Sequence, residues 1–275
     1  LSNGLELEKL YLRSPQWYEE KGITLRLGAA AEALDVQRQT LRLADRTDFP
    51  YDGLVLATGS RARRLPAVAG VPGAYVVRDI ADARELRDKL APGKHLLLLG
   101  AGFIGLEIAS TARQMGVEVS VIDVGRAPLA RALGDEVGTW FRELHLRSGV
   151  NVVCTCSVER FVPAGESVRA ELSNGGTVEA DIVAAGIGAV PNVEWLEGSG
   201  LSIANGVLTA ADLSTGIPGI VAAGDIARWY NPLFDEEMRI EHWTNAVEQG
   251  RHAARGGADQ GREGAGGHGG APAPR

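Results

Sequence analysis

The segment that most constrains the fold is LLLLGAGFIGLE, which spans Leu96–Glu107. It opens with an apolar run typical of a strand that is buried on both faces of a parallel sheet. Three glycines follow at once, Gly100, Gly102 and Gly105, in the spacing GxGxxG, and the residues after them have a helical pattern. This strand–turn–helix order predicts a βαβ unit of the type that binds the pyrophosphate of a dinucleotide.

The three glycines have different physical roles in such a unit. Gly100 permits the tight turn, Gly102 lets the backbone approach a pyrophosphate, and Gly105 allows the helix to pack closely on the strand. The start of the helix presents free N–H groups and the positive end of its dipole to the phosphates. We therefore predict NAD contacts at Gly100, Gly102, Phe103, Ile104 and Gly105. The alternative is a glycine turn that binds no ligand.

An acidic residue follows the next predicted strand, Val117–Ile122. This residue, Asp123, lies 23 positions after Gly100. A carboxylate at about that distance accepts a hydrogen bond from the ribose 2′-hydroxyl of NAD and repels the 2′-phosphate of NADP. Arg126 and Arg131 are either solvated charges or partners of the adenosine or phosphate groups. We predict a preference for NADH, with Asp123 and Arg131 in its site.

Length and charge limit the number of domains and the kind of partner. The chain has 275 residues, which suggests about two domains. Its net charge of −7 argues against nucleic acid or an anionic membrane as the main partner. The longest apolar run, around Leu96–Leu106, contains glycines and is too short to span a bilayer.

The two cysteines, Cys154 and Cys156, are too few for a disulfide framework, so the chain fits a reducing cytoplasm. We expect both to lie on one strand with their thiols on the same face, a poor geometry for a disulfide bond between them. No further metal ligands lie close in sequence, so we expect core or half-exposed thiols and no metal site.

Predicted strands and helices alternate as far as Arg255. A βαβ centre flanked by β segments predicts an α/β fold with a parallel sheet and a β-meander. The last twenty residues, 256–275, are rich in glycine and lack large apolar side chains, which predicts a disordered tail. Four further predicted elements are tested below: the strands Ile23–Leu27 and Thr177–Val183, and the helices Glu136–Ser148 and Trp243–Ala254.

Two other segments end an apolar strand in a glycine turn. They are YDGLVLATGSRARRLP at Tyr51–Pro66 and TGIPGIVAAGDIA at Thr215–Ala227. With the central GxGxxG they resemble the two-dinucleotide-binding flavoprotein reductases of the FAD-dependent pyridine nucleotide-disulfide oxidoreductase superfamily. The resemblance is greatest to the ferredoxin, putidaredoxin and rubredoxin reductases that serve dioxygenases and P450s. The segments that carry it include Leu10–Leu25, Tyr75–Arg87, Ala185–Asn192 and Arg239–Arg251.

The resemblance implies an FAD site as well. Asp225 matches a carboxylate on the ribityl chain of FAD, or else it is only a helix N-cap. Trp243 lies where an aromatic ring would stack on the flavin or shield the nicotinamide, or else it packs at the start of a helix. Arg78 matches an arginine that contacts FAD, or else it is an ordinary surface arginine. The implied FAD contacts are Ala31, Thr58, Gly59, Arg78, Gly224, Asp225 and Trp243.

Three further NAD contacts follow from the same resemblance. Glu107 matches a residue near the nicotinamide carboxamide, and we expect it to need a partner because a glutamate on a buried helix is costly. Gly186 and Ile187 resemble a segment that passes beside NAD.

The resemblance also implies a domain plan. The FAD-binding domain is expected in two segments, 1–80 and 206–255, around an NAD-binding domain at 81–205. We expect the FAD domain to be incomplete and the chain to be a fragment, because the family's N-terminal FAD-binding unit and its small C-terminal domain have no counterpart here.

The implied activity is transfer of a hydride from NADH to FAD, and then of single electrons to a ferredoxin-type iron–sulfur protein of an oxygenase system. The cofactors carry this chemistry, so we expect no acid or base catalytic residue. Two alternatives stay open: another acceptor, such as rubredoxin, nitrite reductase or a quinone, or a truncated NAD(H)-binding module without turnover. Arg61, Arg63 and Arg64 form either a docking patch for an acidic ferredoxin or a solvated loop.

Overall fold

The computed structural model describes residues 7–64, 71 and 74–265, with the backbone alone for 256–265. The chain divides into two compact units, each built from two stretches of sequence. The first unit comprises Leu1–Leu12 and Ala62–Ala189, and the second comprises Arg13–Arg61 and Val190–Arg275. The chain therefore passes between the units after Leu12, Arg61 and Ala189, whereas the predicted domain boundaries follow residues 80 and 205.

The elements alternate along most of the chain. The strands are β1 (Ala31–Asp35), β2 (Thr40–Leu43), β3 (Asp48–Pro50), β4 (Leu54–Leu56), β5 (Ser60–Ala62), β6 (Ala74–Val76), β7 (His95–Leu99), β8 (Glu118–Ile122), β9 (Val150–Val153), β10 (Val158–Ala164), β11 (Ser167–Leu172), β12 (Thr177–Ala180), β13 (Ile182–Ala185), β14 (Ala189–Pro191), β15 (Val207–Thr209), β16 (Ile220–Ala222), β17 (Ala227–Asn231) and β18 (Glu236–Met238). The α-helices are α1 (Pro15–Glu20), α2 (Ile80–Arg87), α3 (Phe103–Gln114), α4 (Ala130–Arg147) and α5 (Trp243–Ala265). Short 3-10 turns lie at Leu7–Leu10, Glu194–Leu196 and Gly224–Ile226.

The first unit is built on a five-stranded parallel sheet with the order β6-β13-β7-β8-β9. Both faces of its central strand are covered. Leu96 and Leu98 belong to one buried cluster, which also holds the apolar face of α3, whereas Leu97 and Leu99 belong to another. Such two-sided burial explains why the four residues Leu96–Leu99 are all apolar, and the parallel pairing confirms the predicted sheet.

The order of these strands reverses beside β7. The chain leaves β7 through α3 to β8 and then β9 on one side, while β13 and β6 occupy the other side. The carboxyl ends of β7 and β13 lie side by side, and Gly100 and Gly186 follow these two strands directly. In open parallel sheets a ligand binds in the crevice at such a switch point.

The three-stranded meander β10–β11–β12 packs on the first sheet and contributes Val168, Ala170 and Leu172 to the same cluster as Leu97. The predicted strand Thr177–Val183 is two strands, since β12 ends before Asp181 and β13 begins after it. The Asp181 carboxylate accepts hydrogen bonds from Lys94 Nζ at 2.9 Å and from the His95 N–H at 2.8 Å. This residue therefore anchors the amino end of β7.

The second unit contains smaller sheets. Strands β1, β2 and β3 form an antiparallel sheet, and β4 and β16 form a parallel pair. Strand β17 pairs in parallel with β15 and antiparallel with β18. Leu56, Ile220 and Ala253 belong to its buried cluster, so α5 packs on the β4–β16 pair.

Other predictions of secondary structure need correction. Ile23–Leu27 is not a strand, and its apolar side chains are exposed because no strand among the described residues covers them. Helix α4 begins at Ala130 rather than at Glu136, with a kink at Gly134, where φ is 79°. Helix α5 continues beyond Ala254 to Ala265, because an existing helix adds further turns at little cost. The first ten residues of the predicted disordered tail are thus helical, and the other ten, 266–275, lie outside the described residues.

The cysteines do not lie on a strand. Strand β9 ends at Val153, and Thr155, between the cysteines, has a positive φ of 54°. Cys154 packs against one core cluster of the first unit and Cys156 belongs to another, so their thiols do not share a face. Both are free. Within the described residues no helix has the length and apolarity that crossing a bilayer requires.

Candidate nucleotide-binding sites

In the glycine-rich loop of the first unit, the packing of the protein explains why two of the three positions in the GxGxxG spacing, Gly100 and Gly105, are glycine. Gly100 has a φ of 99°, and a Cβ there would lie 2.5 Å from the Gly186 carbonyl oxygen. A Cβ on Gly105 would overlap the Gly100 carbonyl oxygen. Both contacts are with backbone atoms, so the fold itself requires glycine at these two positions.

Gly102 is different. Its φ is −77°, which any residue adopts, and the nearest atom to a Cβ there would be the Gly186 carbonyl oxygen at 3.9 Å. The packing of the protein therefore does not require glycine at this position. Because Gly102 has no side chain, a ligand in the crevice at the switch point can approach its backbone closely. A bound pyrophosphate needs such an approach. The residues present fit a dinucleotide.

The start of α3 also fits an anion. Gly102 is the N-cap and makes no side-chain hydrogen bond to the first turn, whose N–H groups have no partner within the helix. Phe103 and Ile104 are 56% and 44% exposed, although both are large and apolar. The sequence predicts all three positions as NAD contacts, and the structure places them together at the open end of the helix.

Asp123 lies at the same edge of the sheet. Its Oδ2 accepts a hydrogen bond from the Ala101 N–H at 2.5 Å, and its Oδ1 accepts one from the Gly125 N–H at 2.6 Å. Each carboxylate oxygen has a second lone pair. The predicted bond to a ribose hydroxyl is compatible with this arrangement and stays a prediction.

Gly186 and Ile187 run directly beside the glycine loop, since the Gly186 N–H donates to the Leu99 carbonyl at 2.8 Å.

The expectation that Glu107 is buried and needs a partner was wrong. Its side chain lies on the solvent-facing side of α3 and carries no burial cost. Arg131 is exposed on α4, and Arg126 forms a 3.7 Å ion pair with Asp135. The roles of Glu107 and Arg131 towards NAD stay predictions.

The Cys154 thiol is close enough to Asp123 to sense its charge. Burial raises the pKa of this thiol, the Asp123 carboxylate raises it further, and Arg142 lowers it to a smaller degree. Thiols react as thiolates, so Cys154 is a poor nucleophile near neutral pH. This is the opposite of what a redox-active cysteine requires.

A second candidate site lies in the second unit, at the carboxyl ends of β4 and β16. These strands pair in parallel, so the turns that follow them lie side by side. The turn after β4 contains Gly59, with a φ of 63°, and the turn after β16 contains Gly224, with a φ of 74°. The Ser60 hydroxyl donates to Asp225 Oδ2 at 2.7 Å and joins the two turns.

Asn192 fixes the turn after β4. The Thr58 hydroxyl donates to the Asn192 carbonyl at 2.7 Å, and the Asn192 side-chain amide donates to the Thr58 carbonyl at 3.0 Å. The Asn192 N–H donates to the Gly59 carbonyl at 2.9 Å. Because the Thr58 hydroxyl is already engaged, this turn would contact a ligand through its backbone. The implied contact of Thr58 and Gly59 with FAD stays a prediction.

Helix α5 and Arg239 fix the other turn. Gln249 is buried and its Oε1 accepts a hydrogen bond from the Gly224 N–H at 2.8 Å, and Arg239 Nη1 donates to the Asp225 carbonyl at 2.8 Å. Trp243 begins α5, about two turns before Gln249, and is 73% exposed. Ser60 holds the Asp225 carboxylate, Arg239 holds the Asp225 carbonyl, and the exposed Trp243 indole lies on the helix that holds the same turn. This arrangement fits the predicted flavin contacts.

Two predicted FAD contacts are placed elsewhere. Ala31 is half-buried at the start of β1, in the antiparallel sheet. Arg78 belongs to the first unit, just before α2, and its N–H donates to the Asp82 carboxylate at 2.8 Å. Their contact with FAD stays a prediction. Arg61 is not a free positive charge, because it forms a bidentate ion pair with Glu194.

Sequence reasoning missed the supporting residues Ser60, Asn192, Arg239 and Gln249. All four lie inside segments that carry the family resemblance, and that resemblance was the available signal. Their roles depend on hydrogen bonds that no local pattern predicts.

Comparison with known proteins identifies the family of the chain. The pyridine nucleotide-disulphide oxidoreductase family matches residues 4–250. The ferredoxin–NAD(+) reductase component of the anthranilate 1,2-dioxygenase system of Burkholderia cepacia is 42% identical over 250 residues, which are 90% of this chain and 61% of that protein. Putidaredoxin reductase of Pseudomonas putida is 37% identical over 254 residues, 90% of this chain and 60% of that protein. The chain thus spans about three fifths of the length of these curated relatives.

Solved structures confirm the predicted fold. The covalent putidaredoxin reductase–putidaredoxin complex matches with a TM-score of 0.86 and 35% identity, over 91% of this chain and 62% of that one. A ferredoxin reductase from Rhodopseudomonas palustris matches with a TM-score of 0.86 and 34% identity, over 92% of this chain and 63% of that one. The two-dinucleotide-binding reductase fold is therefore confirmed.

Proposed function

This chain belongs to the pyridine nucleotide-disulphide oxidoreductase family, and from that premise we propose that it serves in the NADH-dependent reduction of a ferredoxin-type iron–sulfur protein, with FAD as the carrier between them. The names of the relatives support the reaction, since the proteins from Burkholderia cepacia and Pseudomonas putida are a ferredoxin–NAD(+) reductase component and a putidaredoxin reductase.

The observation that carries the nucleotide half of the proposal is Gly102. Its two companions in the GxGxxG spacing are glycines because backbone atoms crowd them, whereas a Cβ on Gly102 would make only an ordinary contact, 3.9 Å from the Gly186 carbonyl oxygen. Together with the uncapped start of α3 it makes a cradle of N–H groups for a pyrophosphate. Asp123 at the same edge favours a free ribose hydroxyl over a phosphate.

The flavin half is supported by the second unit. Asp225 would accept a hydrogen bond from the ribityl chain, the backbone of Thr58 and Gly59 would lie against the ring system, and Trp243 would cover an aromatic face. When bound, FAD supplies the ability to take a hydride from NADH and to release its electrons one at a time. The chain's own residues bind and orient the two cofactors and need no acid or base.

The proposed partner is a small iron–sulfur protein. The solved complex of putidaredoxin reductase with putidaredoxin supports this choice, because its reductase matches 91% of this chain. The proposal includes a cytoplasmic location, which agrees with two free cysteines.

The test begins with the visible absorbance of the purified chain after incubation with FAD and removal of the excess. We expect a retained flavin spectrum that bleaches when NADH is added without oxygen. Reduction of purified ferredoxins and rubredoxins by the loaded protein then identifies the acceptor. Asp225→Asn should lower flavin retention and leave the affinity for NADH unchanged.

The outcomes separate the alternatives. Binding of NADH without retained flavin would reduce the function to a nucleotide-binding module. Bleaching without electron transfer to any iron–sulfur protein would favour another acceptor, such as a quinone. Failure to bind NADH at all would overturn the proposal.

A further inference from the structure

Asp123 joins the glycine-rich loop to the loop that follows β8. Its two oxygens accept two different backbone N–H groups, from Ala101 at 2.5 Å and from Gly125 at 2.6 Å. We propose that Asp123 is a positioning residue that sets the shape of the glycine-rich loop, in addition to any contact with the ribose. This inference rests on the proposed binding of NADH at that loop.

The backbone around Asp123 is bonded on both sides. Its N–H donates to the Val153 carbonyl at 2.9 Å, and its carbonyl accepts from the Cys156 N–H at 3.0 Å. The Cα position is therefore fixed by the loop after β9, and the carboxylate reaches from this fixed point to Ala101. A Cβ on Gly125 would lie 2.8 Å from Asp123 Oδ1, so the loop after β8 is shaped around the carboxylate.

Ala101 is the residue between the first two glycines of the spacing, and it is 1% exposed. Water cannot readily replace the carboxylate as a partner for its N–H, and a buried N–H without a partner is costly. The Ala101 carbonyl is also engaged, since it accepts from the Leu129 N–H at 3.0 Å. With both of its polar groups held, Ala101 fixes the direction in which the Gly102 backbone faces a ligand.

A substitution at Asp123 therefore has two separable effects. Loss of the ribose contact affects only ligands that carry ribose hydroxyls on the adenosine, whereas loss of the loop anchor affects every ligand that uses the loop. Asparagine offers one acceptor oxygen and one NH2 group, so it cannot accept from both Ala101 and Gly125. We expect Asp123→Asn to weaken binding of both kinds of ligand.

The experiment measures, by nicotinamide fluorescence, the affinity of wild type and Asp123→Asn for NADH and for its deoxy analogue, which contains 2′,3′-dideoxyadenosine and so lacks both hydroxyls of the adenosine ribose. The expected result is that the variant loses affinity for the deoxy analogue by about tenfold, the effect of one broken hydrogen bond to a charged group. The loss for NADH should be at least as large.

The matched control is Asp181→Asn. Asp181 also accepts a hydrogen bond from a backbone N–H, that of His95, but at the amino end of β7 and away from the glycine loop. Its variant should leave the affinity for both ligands unchanged.

A variant that binds the deoxy analogue as wild type does, while losing affinity for NADH, would show that Asp123 only contacts the ribose and would overturn this inference. Failure of the wild-type chain to bind either ligand would instead reject the nucleotide site itself. Amide hydrogen exchange of wild-type Ala101 is an independent test that needs no variant. The inference requires strong protection without ligand, and exchange at the rate of an open loop contradicts it.

Discussion

The hydroxyl of Ser60 donates a hydrogen bond to the carboxylate of Asp225 over 2.7 Å, although the two residues lie 165 positions apart in sequence. The parallel pairing of β4 with β16 brings them together, because Ser60 begins β5 directly after the turn that follows β4, and Asp225 lies in the turn that follows β16. Ser60 is buried and Asp225 is half-buried, so solvent does not readily replace this bond. The relation makes Ser60 a positioning residue for the carboxylate expected to hold FAD.

Ser60→Ala should lower the free energy of unfolding by about 1–2 kcal/mol, because it removes a hydrogen bond to a charged group. It should also weaken flavin retention, since the Asp225 side chain loses a constraint. Thermal unfolding and the retained absorbance of flavin measure the two effects. Ser167→Ala is the control, because Ser167 also donates to a carboxylate, that of Glu179, at an exposed position. Equal effects of the two substitutions would contradict the role given to Ser60.

The glycines of the GxGxxG spacing should respond differently to alanine. Gly100→Ala and Gly105→Ala place a Cβ against backbone oxygens and should cost more than about 2 kcal/mol of stability. Gly102→Ala meets no close atom and should change stability by less than about 1 kcal/mol.

For Gly102→Ala we expect the affinity for NADH to fall by at least about tenfold, since the new methyl group occupies space reserved for the pyrophosphate. Titration of nicotinamide fluorescence measures this loss. A well-folded Gly102→Ala protein that binds NADH normally would remove the main support for the proposed cradle.

The hydrogen bonds of Asp181 should make the free energy of unfolding depend on pH. The hydrogen bond from Lys94 lowers the pKa of the Asp181 carboxyl in the folded protein, and the bond from the His95 N–H lowers it further. The unfolded chain then binds more protons than the folded chain below the ordinary aspartate pKa of about 3.9. The stabilisation is complete above that pH and is lost as the pH falls through the folded-state pKa.

Asp181→Asn should therefore be less stable than wild type at neutral pH, by about 1 kcal/mol. The difference should shrink steadily below about pH 4. Denaturant unfolding across this range provides the measurement, with Glu159→Gln, an exposed carboxylate in the same unit, as the control. A difference that stays constant down to acid unfolding would show that Asp181 contributes nothing through its charge.

The cysteines should be slow to react. Because burial and Asp123 raise the pKa of the Cys154 thiol, its labelling by a disulfide reagent at pH 8 should be slower than that of a free thiol. Cys156 is 2% exposed and should label only on unfolding. Rapid labelling of Cys154 in the folded protein, or a Cys154–Cys156 disulfide in the native protein, would contradict this prediction and support a redox role for the two cysteines.

The sequence was informative wherever one short segment held the whole pattern. The run from His95 to Gln114 contains a strand, its turn and its helix, and the structure reproduces all three. Where the outcome depends on distant residues the prediction was wrong or absent. Ile23–Leu27 has an apolar alternation, but within the part of the chain that the structure describes it pairs with no strand. The buried Gln249 is explained by its bond to Gly224.

The same limit applies to single side chains. Glu107 was expected to be buried because its helix is, although position on the helix face decides exposure. The cysteines were assigned to a strand that ends one residue earlier, at Val153, and the positive φ of Thr155 sends them into different clusters.

The position of β13 in the sheet has a consequence for synthesis of the chain. This strand is the last of the five to leave the ribosome, yet it lies between β6 and β7. Until Ile182–Ala185 emerges, β6 has no partner in the sheet, and one edge of the apolar strand His95–Leu99 stays open. Pairing between distant segments is slow, and an open apolar edge invites aggregation. The nascent chain is thus most vulnerable during translation of the residues between β7 and β13, and the strand that completes the nucleotide crevice also ends that vulnerable period.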